Sequence, residues 1–476
     1  MTALVVWSLI PGLFALSLYS LRRWEKAIHV TGVVFALSLA WLAWQYPIGQ
    51  AISLRLWSGF PIFTIEPEQF IYGNRFTLDN SSRPVLILLY LGAAFWIGGA
   101  GPARTHRLFA PLGLLLTAVL AAALAADSVS PAAMLIAVAA LVSVPLLSSP
   151  GRPAARGVSR YLIFQMIGVC LILFADAELI IATTPGDATQ PSLIPALLVL
   201  ALGFAMILTI VPFHTWLPML AEEINPYAAA FVFFLLPNTV ALLALDILIR
   251  YSLIGLPAGT FTALQYAGVL LALAGGIGAA FDRHLGRILG FAAVAQIGMT
   301  LLAISLNNLP GRATPLIGIY FSQLVPQAIG LAVWGLALAI LRFYLPELSF
   351  AAVSGAARRL PVAAMTLVMA NLSLAGLPVL ASFPVYAALW SSLSQRSLSV
   401  VLLCLIGCGG VFLAALRSLA NLVAAPDEAP WNISESRLQV VLLVVGASLL
   451  LIIGLVPQFY MPILTSMAIT FASPAP

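Results

Sequence analysis

Lysine is all but missing from this chain: Lys26 is the only one in 476 residues. Charge of either sign is scarce, with Asp, Glu, Lys and Arg filling 8% of positions, where a soluble globular chain carries about a quarter. So little charge cannot clothe a water-facing surface, which excludes a soluble enzyme. The arginines sit in short loops, a pattern of membrane topology rather than nucleic-acid binding. Cysteine is equally sparse: Cys170, Cys404 and Cys408 all lie in apolar runs. Cys404 and Cys408 fall one helical turn apart, but no His or acidic cluster joins them, so they read as small buried residues, not as a metal site or a disulfide. The sequence holds no nucleotide-binding glycine loop, metal-ligand spacing or nucleophile triad, and no ligand set for haem, flavin or iron–sulfur. Neither a cofactor nor redox chemistry is expected.

What is present is apolar. Hydrophobic residues fill 62% of positions and mean hydropathy is +1.08. Length alone would suggest about three soluble domains; apolar runs of about 20 residues, the thickness of the hydrocarbon layer, replace them with one bundle. Hydropathy, broken at Pro, Gly and Arg clusters, predicts about fourteen spans, the first beginning near Ala3 and the last near Leu438. The first run ends in Arg22 and Arg23 and reads as a retained span, not a cleaved leader. Loops after odd spans carry Arg22, Arg23 and Lys26, then Arg104, Arg107, Arg152, Arg156, Arg283, Arg287, Arg358 and Arg359. Loops after even spans are poorer in Arg and include Glu66, Glu68, Asp127 and Asp187. The positive-inside rule then puts both termini on the non-cytoplasmic side of a prokaryotic cytoplasmic membrane. The polar stretch from Pro47 to Arg83, with Trp57, Phe60, Phe63, Phe70 and Tyr72, is expected to form short strands or a hairpin at the outer surface.

Polar groups inside an apolar bundle are costly and mark function by default. The richest patch is Pro212-Phe-His-Thr-Trp-Leu-Pro218, followed by Glu222, Glu223, Asn225 and Pro226. Its two prolines are expected to break a helix at membrane depth, with His214 in the break. Two readings of His214 stand side by side: a proton carrier on a water chain, or an imidazole that bonds a freed carbonyl. Asp246 and Arg250, one turn apart, read as a self-neutralising anchor. Asp176 and Glu178 read as solvated at the outer interface, and Arg417 as snorkelling to headgroups. Gln296, Gln323, Gln327 and Asn371 read as hydrogen-bonded bridges between helices.

The Pro212–Pro218 patch resembles the broken seventh helix of the antiporter-like subunits of respiratory complex I and their Mrp-type cation/proton antiporter relatives. Other segments agree in order and spacing. Arg75-Phe-Thr-Leu-Asp79 with Ser82-Arg83-Pro84 is similar to the entry to the third helix, and Leu285 to Gly298 to the start of the tenth. Leu372-Ser-Leu-Ala-Gly-Leu-Pro378 with Phe383 resembles the broken twelfth helix, and Ile452-Ile-Gly-Leu-Val-Pro457 the end of the fourteenth. The resemblance covers essentially the whole chain. It implies a single all-α polytopic domain, 1–476, holding two inverted five-helix repeats (107–250 and 260–425) with broken helices 7 and 12, flanked by 1–106 and 426–476.

It also implies a row of ionisable groups at mid-membrane, and here every matched position is uncharged. The fifth-helix Glu falls on Ala140 and the seventh-helix Lys on Ile207. The eighth-helix Lys falls on Asn238 or Thr239, the eleventh-helix His and Lys on Gln327 and Leu331, and the twelfth-helix Lys or Glu on Tyr386. Arginine cannot stand in, because it does not deprotonate in proteins. The reading that follows is an accessory membrane-arm subunit of a complex I-like assembly that does not pump through a lysine relay. It would be at most a non-redox subunit of an oxidoreductase complex of NADH:quinone type, with homologous membrane subunits and lipids as partners and no nucleic acid. The competing reading is an active proton or sodium path rewired through His214, Thr209, Gln327, Tyr386 and water, with Glu222 or Glu223 as collectors.

Overall fold

The computed structural model describes residues 1–20, 24–52, 63–148, 155–183, 193–252, 259–306, 317–424 and 432–472. The described residues are 80% helical. In a hydrocarbon layer no water can pair with the backbone, so a spanning segment must satisfy its own N–H and C=O groups, and the helix does so within one segment. The chain begins with α1 (Val5–Ser20) and α2 (Glu25–Gln45). Next come α3 (Arg83–Gly99), α4 (Phe109–Ala125), α5 (Val129–Leu147), α6 (Arg156–Thr183) and α7 (Leu193–Ile207). Then follow α8 (Trp216–Glu223), α9 (Pro226–Ser252), α10 (Thr260–Phe281), α11 (Leu285–Ser305) and α12 (Ile317–Tyr344). The last are α13 (Pro361–Leu374), α14 (Phe383–Ser394), α15 (Leu398–Val423), α16 (Arg437–Leu455) and α17 (Pro457–Ala472). Among the described residues nine helices are long and apolar enough to cross a membrane, and α1, α3, α4, α7 and α13 are shorter apolar helices.

The centre of the molecule is set by which helices are apolar all round. α11 buries 94% of its apolar window, α12 83% and α9 78%, whereas α16 buries 22%. These three pack on one another, α8 lies against α11, and α15 closes on α10 and α13. α10 and α15 cross at glycine: a Cβ added at Gly276 would run into the Gly407 backbone. The apolar run beginning near Leu438 is divided into α16 and α17. The Val456 N–H closes α16 on the Ile452 carbonyl, and Pro457 opens α17, where a missing N–H costs nothing.

Short antiparallel strands fill the polar stretch after α2. β1 (Ala51–Ile52) pairs with β2 (Phe63–Thr64), and β3 (Glu68–Ile71) pairs with β4 (Asn74–Thr77) in the register Glu68 to Thr77 and Phe70 to Arg75. The second hairpin turns through Tyr72 and Gly73, both left-handed, and leaves Phe70 and Tyr72 exposed. Trp57 and Phe60 lie outside the described residues, as do Arg22, Arg23, Arg152 and Asp187.

An internal proline does not by itself divide a helix here. α9 continues through Pro237 and α12 through Pro326. Two interruptions stand out within the bundle, residues 208–215 and residues 375–382.

Candidate functional site

The first interruption begins where α7 stops at Ile207. The chain leaves the helix through the Ile210 N–H, which reaches back to the Ala205 carbonyl at 2.8 Å, and through Thr209, whose φ of 60° is left-handed. A tight turn at Phe213–Thr215 then leads into α8. Pro218 does not break anything, contrary to the expectation from sequence. It sits in the first turn of α8, where its missing N–H was never needed. The Ile207 carbonyl, freed by the break, accepts the Gln165 side-chain amide from α6 at 3.3 Å. Gly168, one residue short of the next turn of α6, lets the Ile207 side chain lie against it; an added Cβ there would meet Ile207 Cγ1 at 2.6 Å. Four residues before Gln165, the Tyr161 and Ser143 hydroxyls share a hydrogen bond of 2.8 Å, and Ser143 Oγ also donates to the Ala140 carbonyl at 2.7 Å. Trp216 covers the Tyr161 ring with centroids 4.8 Å apart.

The second interruption ends its helix in the same way. The Leu377 N–H reaches back to the Leu372 carbonyl at 3.0 Å, and Gly376 takes the left-handed place at φ 83°. The freed carbonyl is that of Leu374. It accepts the Gln296 amide from α11 at 3.0 Å and the Tyr386 hydroxyl from α14 at 3.3 Å, while Tyr386 also donates to Gln296 Oε1 at 2.8 Å. Pro378 lies within the interruption and is exposed. Each break thus has a last carbonyl held by a glutamine amide from a neighbouring helix. Leaving such a carbonyl unpaired in apolar surroundings would cost about 1–3 kcal/mol.

The residues singled out from sequence divide among these places. Ala140, Ile207, Asn238, Thr239, Gln327, Leu331 and Tyr386 are all buried and all uncharged. Asn238 and Thr239 bond back to the carbonyls of Phe234 and Leu235 on their own helix. His214 is half-buried in the turn before α8, and its Nδ1 and the buried Thr209 hydroxyl have no hydrogen-bond partner. Lys26 is exposed at the start of α2.

Glu222 and Glu223 lie on an arginine-rich face. Glu223 accepts the Gly157 N–H at 2.7 Å, and Glu222 stands 3.9 Å from Arg287, which pairs with Asp282 at 3.0 Å. Arg342 ends α12 by donating to the carbonyls of Glu222, Glu223 and Ile224, closing the end of α8. Beside them His284 caps α11, its Nδ1 accepting the Arg287 N–H at 3.4 Å. Burial holds this imidazole below the ordinary histidine range, against the opposing pull of Glu222, Asp282 and Glu347.

Three expectations are corrected. Asp176 is not solvated; it is buried and accepts the Ser130 hydroxyl from α5. Arg417 does not reach for headgroups but donates to the Ala280 carbonyl at the end of α10, its guanidinium 5.3 Å from the Phe350 ring. Of the four amides expected to bridge helices, Gln296 does, and Gln323 reaches Thr300 at 3.4 Å, but both side-chain polar atoms of Asn371 are unpartnered. Asp246 lines a 320 Å³ cavity with Asp79 and Asp127; the Arg250 side chain lies outside the described residues. Gln165 and Arg342 were missed in the sequence, although a lone amide or guanidinium in an apolar run was a signal for each.

Apolar helices around an all-round apolar centre, with two interruptions capped by buried amides, define a polytopic α-helical membrane protein of the broken-helix kind. The family described as NADH:quinone oxidoreductase/Mrp antiporter, transmembrane, matches residues 158–413, more than half of the chain. The chain belongs to that family. It is 26% identical over 403 residues to NADH-quinone oxidoreductase subunit 14 of Thermus thermophilus, covering 82% of this chain and 87% of that one. It is 26% identical over 337 residues to NADH-quinone oxidoreductase subunit N 2 of Solidesulfovibrio magneticus, covering 67% and 70%. Among solved structures it resembles a chain of the Mrp complex from Dietzia sp., with TM-score 0.76, 18% identity and coverage of 99% and 98%. It also resembles a chain of respiratory complex I from Thermus thermophilus, with TM-score 0.72, 19% identity and coverage of 95% and 98%. Identities this low speak for the shared fold.

Proposed function

We propose that this chain is a membrane-arm subunit of a complex I-like, redox-coupled assembly in which it does not pump through a lysine relay. The observation that carries this reading is chemical. Each position that the resemblance aligns with a family charge is buried, and each holds Ala, Ile, Asn or Thr, Gln, Leu or Tyr. A proton relay needs groups that exchange protons near neutral pH, and none of these side chains does. The role that remains is to fill an antiporter position, seal the membrane and contact homologous membrane subunits. The nine long and five shorter apolar helices support fourteen spans, with α8 and α14 as second halves of the broken ones and α17 following. The like termination of the two breaks supports two inverted repeats, 107–250 and 260–425, and the arginine-bearing loops support non-cytoplasmic termini. The test is reconstitution of the purified chain in liposomes: proton and sodium flux at the protein-free background is the expected result, and robust flux would sink the reading. Affinity purification from the native membrane is expected to recover homologous membrane subunits together with a peripheral redox arm.

A second reading, a rewired path, draws on one observation: Thr209 and His214 place unpartnered polar atoms inside the first break. Flux abolished by His214→Phe in the same liposomes would favour it over the first.

A further inference from the structure

The two interruptions end alike but are not covered alike. α16 crosses the second, where a Cβ added at Gly454 would run into the Val379 carbonyl and Leu380. What stays exposed there is apolar, Pro378 and Val379, and the polar Ser382 is buried. The first keeps Pro212 and Thr215 exposed and His214 half-buried. His214 Nδ1 has no hydrogen-bond partner, and among the described residues the Thr215 hydroxyl has none either. α8 is 8 residues long, which at 1.5 Å per residue puts Thr215 about 12 Å inward from the charged end at Glu223, within the hydrocarbon layer.

Four contacts fix this segment against α6. The Phe213 and Phe164 rings lie 5.9 Å apart and those of Trp216 and Tyr161 4.8 Å; Arg160 donates to Met219 Sδ at 3.0 Å, and Glu223 accepts the Gly157 N–H at 2.7 Å. Met219 follows Thr215 by one turn, so Arg160 stands about one turn from Thr215 towards the charged end. Arg160 and Arg156 are exposed, and among the described residues neither pairs with a carboxylate.

Non-helical backbone at membrane depth does not face lipid, and an unpaired polar side chain there is costly. The second interruption meets this condition with a helix of its own chain; the first leaves polar groups and unmatched positive charge on one outward face. We propose that this face, Thr215 and His214 with Arg160, is the docking surface for a transmembrane helix of a neighbouring membrane subunit. That helix presents a polar side chain level with Thr215 and an Asp or Glu about one turn nearer the Arg160 end. The proposal rests on the reading of the chain as a subunit among homologous membrane subunits, and adds which face it turns to one of them.

Photocrosslinking in native membranes tests it, with p-benzoylphenylalanine introduced at position 215 of the full-length chain in its assembled complex. The expected product joins position 215 to one transmembrane segment of a neighbouring membrane subunit, with a carboxylate about one turn from the attachment point. Adducts to lipid alone, or to a second copy of this chain, would overturn the proposal. Arg160→Glu gives a second readout: several-fold lower recovery of that neighbour on affinity purification is expected, with the melting temperature of the isolated chain unchanged. Undiminished recovery would overturn the proposal as well. If the unaltered chain recovers no homologous membrane subunit at all, the reading beneath the proposal fails; recovery without the cross-link removes only this surface.

Discussion

Thr209 is the residue whose chemistry fits its place least. It holds φ 60°, a region that a β-branched side chain rarely enters, and its buried hydroxyl has no partner. Gly376 takes the corresponding left-handed place after α13 at φ 83°, where the absence of a Cβ removes the cost. Thr209→Gly is therefore expected to stabilise the protein by about 1 kcal/mol, relieving backbone strain and an unpaired hydroxyl together. Thermal unfolding in detergent measures it. A loss of stability would show that the hydroxyl is engaged by water or substrate in the membrane, and would strengthen the rewired path.

At the scale of the element, helix ends decide more here than helix interiors. The two breaks share one termination and one kind of amide cap, and the arginine-rich face is organised by Arg342 at the end of α8 and His284 at the start of α11. His284 gives that face a pH dependence of defined sign. Its cap needs the neutral imidazole, since Nδ1 accepts a backbone N–H, and burial lowers its pKa in the folded state. A lowered histidine pKa means that the unfolded chain binds the proton more tightly. The stability it contributes is full above about pH 6.5, the unfolded value, and is lost as pH falls through the folded value. Melting temperature should thus drop on acidification from pH 7 towards 5. His284→Asn, which keeps a capping acceptor without titrating, should flatten that part of the profile. An unchanged slope in the variant would place the pH dependence elsewhere.

For the whole molecule the question is whether the bundle still places α5 and α7 as a charge-bearing relative would need. α6 packs on both, and the path from Ala140 to Ile207 runs through Ser143, Tyr161 and Gln165. Ala140→Glu or Ile207→Lys alone buries an unpaired ionisable group, at a cost of several kcal/mol or by forced neutralisation. Made together they can pair, although desolvation offsets much of the attraction. The double variant is expected to be more stable than the two single effects added, by about 0.5–3 kcal/mol in an unfolding cycle. Strict additivity would show that the two positions do not face each other. Coupling with newly gained proton flux would mean that this pair alone was missing, and coupling without flux that more of the relay is gone.

The membrane class, the helical content and the family were legible in the sequence, because each rests on a property that local sequence carries. An apolar run of about 20 residues matches the hydrocarbon layer whatever surrounds it, and short motifs such as Pro212 to Pro218 keep their order. The near absence of lysine was equally plain. The partners of the buried polar groups were not. Gln165 caps Ile207 across 42 residues and Tyr386 meets Gln296 across 90, and which face of a helix meets which depends on rotation and packing that no local window contains. The same reason separates Pro212 from Pro218. A proline removes one N–H wherever it stands, but only the folded chain decides whether that N–H falls in a helix interior or in a first turn, where nothing is lost.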